Sequence, residues 1–175
     1  MTIVAALVSF FFVTAEDADR LRATAPAYLT VETARTHYGA ARIASAIAGV
    51  DPDQLLAIAW HESRYDFGYV QHEPPDPDHP ELGPRVSCGA MTPRPHYGGC
   101  EPWELTPIGG YVAGARHLRT WIDLCRGDQI CGLTAYAGGG KLVTACRDGS
   151  DHRGCGFAGE MIARGRWIVR LRGAA

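Results

Sequence analysis

The stretch "DPDQLLAIAWHESRYDF", residues 51–67, decides how this chain is read. Asp51 can serve as an N-cap, accepting a hydrogen bond from a backbone N–H, and Pro52 suits the first helical position, where its missing N–H costs nothing. Leu55, Ile58 and Ala59 then mark one face of a helix with about 3.6 residues per turn. Glu62 lies seven residues beyond Leu55 and four beyond Ile58. Seven steps of about 100° return to within about 20° of the start, so Glu62 continues the apolar stripe. A carboxylate there must be paired, hydrogen-bonded or chemically engaged. Trp60 lies about 200° round the helix from it and packs on another side, and His61 is expected half exposed.

Upstream, "VETARTHYGAARIASAIAGV" has helical composition and ends near Gly49. Downstream, the stretch from Gly68 to Pro107 differs: "EPPDPDHPELGPR" carries five prolines in thirteen residues, an irregular loop with room for a small β-hairpin whose strands the pattern does not place. In "TPIGGYVAGARHLRTWIDLC", Tyr111, Ala115, Leu118 and Ile122 restore helical spacing. Asp128 can cap a short helix that runs to about Tyr136 and ends in three glycines. "GFAGEMIARGRWIVRLRGAA" reads as a last helix, with Met161, Ile162 and Trp167 for packing. The expected architecture is mainly α, a helical domain flanked by a long irregular loop or small β element.

The 175 residues suggest one domain, spanning 16–175. A net charge of −2, with the arginines scattered and Lys141 the single lysine, gives no reason to expect nucleic acid or an anionic membrane as partner. Ile3 to Val13 form an apolar run too short for a comfortable membrane span, followed by the small residues Val13-Thr14-Ala15. Residues 1–15 therefore read as an export signal, although no Lys or Arg precedes the run; a buried N-terminal helix is the alternative. The expected location is periplasmic or extracellular, with no stable membrane insertion after processing.

The six cysteines, Cys88, Cys100, Cys125, Cys131, Cys146 and Cys155, are an even set behind a signal-like start, which reads as disulfides. Six cysteines allow about 15 connectivities. Pairing of sequence neighbours is the expectation, since each pair closes a short loop containing Gly or Asp. No C-x-x-C occurs, and His72, His79 and His96 fall in the proline-rich loop, so neither a metal site nor a cofactor is expected.

A glutamate on an apolar face has a specific use. Desolvation disfavours its charged form, and a carboxyl that keeps its proton near neutral pH can donate it to a leaving oxygen, as glycosidic cleavage requires. Solvation, or pairing with Arg64, is the plainer alternative.

Three segments carry a resemblance. "LLAIAWHESRYD", "SCGAMTP" and "LTAYAGGG" resemble, in order, three motifs of the lytic transglycosylases, a family of the lysozyme-like superfamily that also includes goose-type lysozymes. The resemblance covers roughly residues 50 to 140. It implies a lysozyme-like α+β fold, Glu62 as the catalytic acid, and a substrate cleft lined by Ser63, Gly89, Met91, Thr92, Tyr136 and Gly138. It implies cleavage of the bond between N-acetylmuramic acid and N-acetylglucosamine in peptidoglycan strands by a monomer, with 1,6-anhydro products and no second carboxylate. Tyr136 would sit close to Glu62, hydrogen-bonding to it or stabilising charge near the ring, with a core aromatic whose hydroxyl is satisfied as the plainer alternative. Met91 would touch sugar faces, with core filling as its plainer alternative. The chain departs from the family twice. Thr92 stands where Gln is usual, and Ala137 where Asn is usual. Ser63, Thr92 or Thr106 is a candidate for the lost hydrogen bond.

If Asp66, Glu73, Glu101 or Glu104 joined Glu62, the outcome would be hydrolysis; no spacing singles one out. A peptidoglycan-binding or assembly protein without turnover, and a disulfide-stapled structural domain, are the competing readings.

Overall fold

The computed structural model describes residues 13–93, 96–149 and 153–173. Most of the segment read as an export signal therefore lies outside the described residues. Thr14, from the proposed cleavage stretch, caps the first helix, α1 (Ala15–Thr24), and its partner in a capping box is Asp17. Then come α2 (Val31–Ala48), which stops at Gly49 in a left-handed conformation, and α3 (Pro52–Ser63). Asp51 caps α3 as expected, accepting from Asp53 N at 2.8 Å.

The proline-rich stretch is not wholly irregular. It holds a three-stranded antiparallel sheet in the order β1 (Val70–Glu73), β2 (Arg85–Cys88), β3 (His96–Tyr97). Glu73 pairs with Arg85, and Val70 with Cys88. The prolines are concentrated in the connection between β1 and β2, where no ladder N–H is needed. α4 (Pro107–Leu124), α5 (Gln129–Arg147) and α6 (Phe157–Gly173) complete the chain.

α3 is the centre of the helical core. Leu55, Leu56, Ala57, Ile58 and Ala59 are all fully buried, so the helix is covered on nearly every side and is more than a striped surface helix. α2 packs on α1, α3 and α4, and α6 crosses α3 and α5. The expected row Tyr111, Ala115, Leu118 and Ile122 is buried on α4. His37 of α2 stacks on Phe67, with ring centroids 3.8 Å apart, and its Nδ1 lies 3.0 Å from the Tyr111 hydroxyl. Burial pushes the His37 pKa down to about 3, so the ring is neutral in the folded protein at neutral pH.

Two helix readings need correction. α5 does not end at the three glycines. The chain breaks helical geometry at Gly138 and Gly139, then resumes to Arg147. Gly139, at φ 68° and ψ −171°, occupies a region open essentially to glycine alone, which accounts for the kink. On α6, Met161 is buried, but Trp167 is 40% exposed; Ile168 takes the core position instead.

The disulfides join sequence neighbours as expected: Cys88–Cys100, Cys125–Cys131 and Cys146–Cys155. No described helix is long and apolar enough to cross a membrane.

Candidate functional site

The end of α3 sets the position of Glu62. Arg64 and Tyr65 both adopt left-handed conformations, at φ 58° and 67°, and the Arg64 and Tyr65 N–H groups close back onto Trp60 O and Ala59 O. Two non-glycine residues in that region cost about 1 kcal/mol or more each. The cost is offset by burying Tyr65 in the core and by the Arg64 guanidinium, which donates to His61 O at 2.8 Å and lies over the Trp60 ring at 4.7 Å. The helix therefore stops sharply, with Glu62 in its last turn.

Ser63 is buried. Its hydroxyl lies 2.7 Å from Ala90 O and 3.0 Å from Ala59 O, and accepts from Asp66 N at 3.1 Å. It clamps α3 to the segment 89–92 and does not face the cleft, contrary to its expected role as a sugar contact. Gly89 is likewise internal. It sits at φ 78°, and a Cβ there would lie 2.4 Å from Glu104 O, so only glycine lets the chain pass so close to the turn before α4. Met91 is fully buried, packed on Gly114 of α4, where an added Cβ would lie 2.5 Å from Met91 Cβ. It fills the core and touches no cleft, a second correction.

Thr92 is the cleft residue of this segment. Its hydroxyl donates to Glu62 Oε2 at 2.6 Å. Of the three candidates for the replacement hydrogen bond, it alone makes it. Thr106 instead caps α4, accepting from Gly109 N at 3.0 Å. Thr92 pays in backbone strain, because a β-branched residue at φ 38° is an outlier.

A cleft of about 630 Å³ opens beside this pair. It receives Gln71, Glu73, Arg85 and Ser87 from the sheet, and His117, Trp121 and the Gly138–Lys141 stretch from α4 and α5. Tyr136 lines it too, close enough to Glu62 for the carboxylate's charge to act on its hydroxyl, as expected; that hydroxyl donates to Met91 O at 2.6 Å. The Tyr136 ring meets His117 edge-on, and Trp121 Nε1 donates to His117 Nε2 at 3.1 Å. These contacts fix the indole at the cleft edge.

Burial pushes the Glu62 carboxyl above the usual range. The negative charge of Glu73 adds to the rise, while the Thr92 hydrogen bond and the nearby His61 and Arg64 oppose it. His61 is half exposed as expected, with Nδ1 3.4 Å from Glu160 Oε1. Of the four carboxylates left open as a second acid, only Glu73 lines the cleft, and Gln71 Nε2 holds its Oε1 at 2.6 Å. Asp66 caps the following turn at Gly68 N, and Glu101 and Glu104 belong to the turn before α4.

Arg85, Gln71, His117 and Trp121 were not legible as site residues. The only available signal was the two-residue spacing of Gln71 and Glu73, which puts both on one face once a strand is recognised. A larger depression, about 920 Å³, lies at the starts of α3 and α5; the carboxylates there, Asp51 and Asp128, are engaged in helix caps.

No protein-family model matches the chain, and neither the curated proteins nor the solved structures contain a match to it.

Proposed function

We propose that this protein is an exported bacterial lytic transglycosylase with a lysozyme-like fold, cleaving the β-1,4 bond between N-acetylmuramic acid and N-acetylglucosamine in peptidoglycan. The observation that carries the reading is Glu62, a desolvated carboxyl with a raised pKa, one oxygen fixed by Thr92, in the lining of a cleft of about 630 Å³. The mainly helical domain with a small sheet beside the cleft agrees with the architecture that the resemblance implies. Three disulfides suit an oxidising compartment.

The chemistry needs one carboxyl. Glu62 gives its proton to the glycosidic oxygen, and the C1–O bond breaks with its electron pair going to that oxygen. The muramic 6-hydroxyl bonds to C1, and its proton passes to the Glu62 carboxylate, which regenerates the acid. No water is consumed, and the sugar product is a 1,6-anhydride.

A second reading, hydrolysis, is favoured by one observation: Glu73 shares the cleft and acts on the charge state of Glu62. It would activate a water in place of the 6-hydroxyl. Mass spectrometry of the muropeptides released by the purified, oxidised protein tests both. Products lighter by one water than the reducing sugars establish the transglycosylase. Reducing ends, abolished by Glu73→Gln, establish the hydrolase. A folded protein that releases nothing contradicts both.

A further inference from the structure

The cleft does not end at Trp121. Beyond it lies a second depression of about 510 Å³, and Trp121, Ala135 and Gly140 line both. The two differ in charge. The first holds Glu62 and Glu73. The second is lined by Arg126 and Arg147 and by no carboxylate among its described lining residues. Of the carboxylates that flank these arginines in sequence, Asp123 pairs with Arg119, Asp128 caps α5 at Cys131 N, and Asp148, next to Arg147, does not line the depression. Among the described residues neither Arg126 nor Arg147 makes a salt bridge.

The position of Arg126 is built. It lies at φ 57° on the short loop closed by the Cys125–Cys131 disulfide, with its N–H donating to Asp123 O at 2.9 Å. Arg147 is anchored on the same bridge, Nη2 to Cys131 Sγ at 3.7 Å. Leu124, 68% exposed, adds an apolar patch beside them. Unpaired guanidiniums beside an exposed leucine and an indole suit a ligand that is part carboxylate and part apolar.

We propose that this second depression binds the peptide stem of the glycan strand, with Arg126 and Arg147 pairing with stem carboxylates while the sugars lie past Glu62. The proposal rests on reading the first cleft as the glycan site. Its consequence is selectivity: strands that carry peptides bind better than strands stripped of them.

Calorimetric titration of the Glu62→Gln protein with soluble strands tests it. Three probes are used: peptide-bearing strands, strands whose peptides have been removed by an amidase so that only the lactyl carboxylates remain, and free stem peptide. Peptide-bearing strands are expected to bind about tenfold more tightly than stripped ones. Combined Arg126→Gln and Arg147→Gln substitution is expected to remove that preference and leave affinity for stripped strands unchanged. Leu124→Glu, on the surface, is expected to weaken the preference in the same direction. Equal affinity for both strands, or a preference that survives the double substitution, overturns the proposal. If loss of the arginines weakens stripped strands equally, the depression serves the lactyl groups and the stem assignment is wrong. A stem preference that is arginine-dependent, in a protein whose native Glu62 form releases no product, keeps the stem site and removes the enzyme reading. Failure to bind any probe overturns both.

Discussion

Thr92 Oγ1 donates a 2.6 Å hydrogen bond to Glu62 Oε2 from a backbone at φ 38°. A β-branched residue held there costs of order 1–3 kcal/mol, a cost that persists only where the surroundings fix it. Here the Ser63 clamp on Ala90 and the Tyr136 bond to Met91 O fix the segment on both sides. The bond orients the acid and restrains the rise in its pKa. Thr92→Val should therefore lower kcat about tenfold, with KM near native, and move the basic limb of the pH–rate profile upward. Thr92→Ser should restore both. A Val variant with native kcat and an unmoved profile would remove Thr92 from the mechanism.

The raised pKa of Glu62 has a stability consequence with a definite sign. Its folded-state value lies above the unfolded one, so the folded protein holds a proton that the unfolded chain releases. That contribution is complete below about pH 4 and is lost as pH rises through the folded value. Glu62→Gln carries no such term. Its melting temperature relative to the native protein should rise between about pH 4 and neutrality. Melts across that range check it; a constant or falling difference would mean that the carboxyl is not desolvated.

Trp121 stands between the two depressions, held by His117. If the cleft takes glycan as proposed, the indole is placed to present an apolar face to a sugar without touching Glu62's proton. Trp121→Ala should raise KM about tenfold and change kcat less than threefold, the mark of uniform binding. Initial rates over a range of soluble strand concentrations separate the two constants. A loss confined to kcat would place the indole in the chemical step.

The Cys88–Cys100 bridge ties β2, next to the Gly89–Thr92 segment, to the turn before α4. Closing a loop of this size stabilises the fold by about 3 kcal/mol in the chain-entropy account. Replacing both cysteines by serine should lower the chemical unfolding free energy by roughly that amount. Activity should fall further than the folded fraction does, because the bridge anchors the segment that carries Thr92. Unfolding in denaturant alongside assays at low temperature distinguishes these losses.

The parts of the fold governed by local signals were legible. Asp51 and Pro52 announce the start of α3, Asp128 caps α5, and the buried row on α4 follows its spacing. Short loops between neighbouring cysteines were enough to suggest the pairing. What escaped depends on contacts distant in the chain. Met91 and Ser63 face inward because Gly114 and Ala90 meet them there, and Tyr136 is taken by Met91 O. The β1–β2 pairing brings Glu73 and Arg85 to the cleft across a proline-rich connection that shows no strand periodicity. The continuation of α5 past Gly139 was hidden because glycine ends helices far more often than it kinks them.

The most direct test of the central claim compares the native protein with Glu62→Gln on purified peptidoglycan. Both turnover, as release of soluble muropeptides, and retention of protein in the sedimented wall are measured. The account predicts that Glu62→Gln lowers turnover by at least about a thousandfold while sedimentation stays near native, because the cleft keeps its shape and loses only its proton donor. Native turnover from the Gln variant would contradict it and leave Glu62 a structural residue at the end of α3.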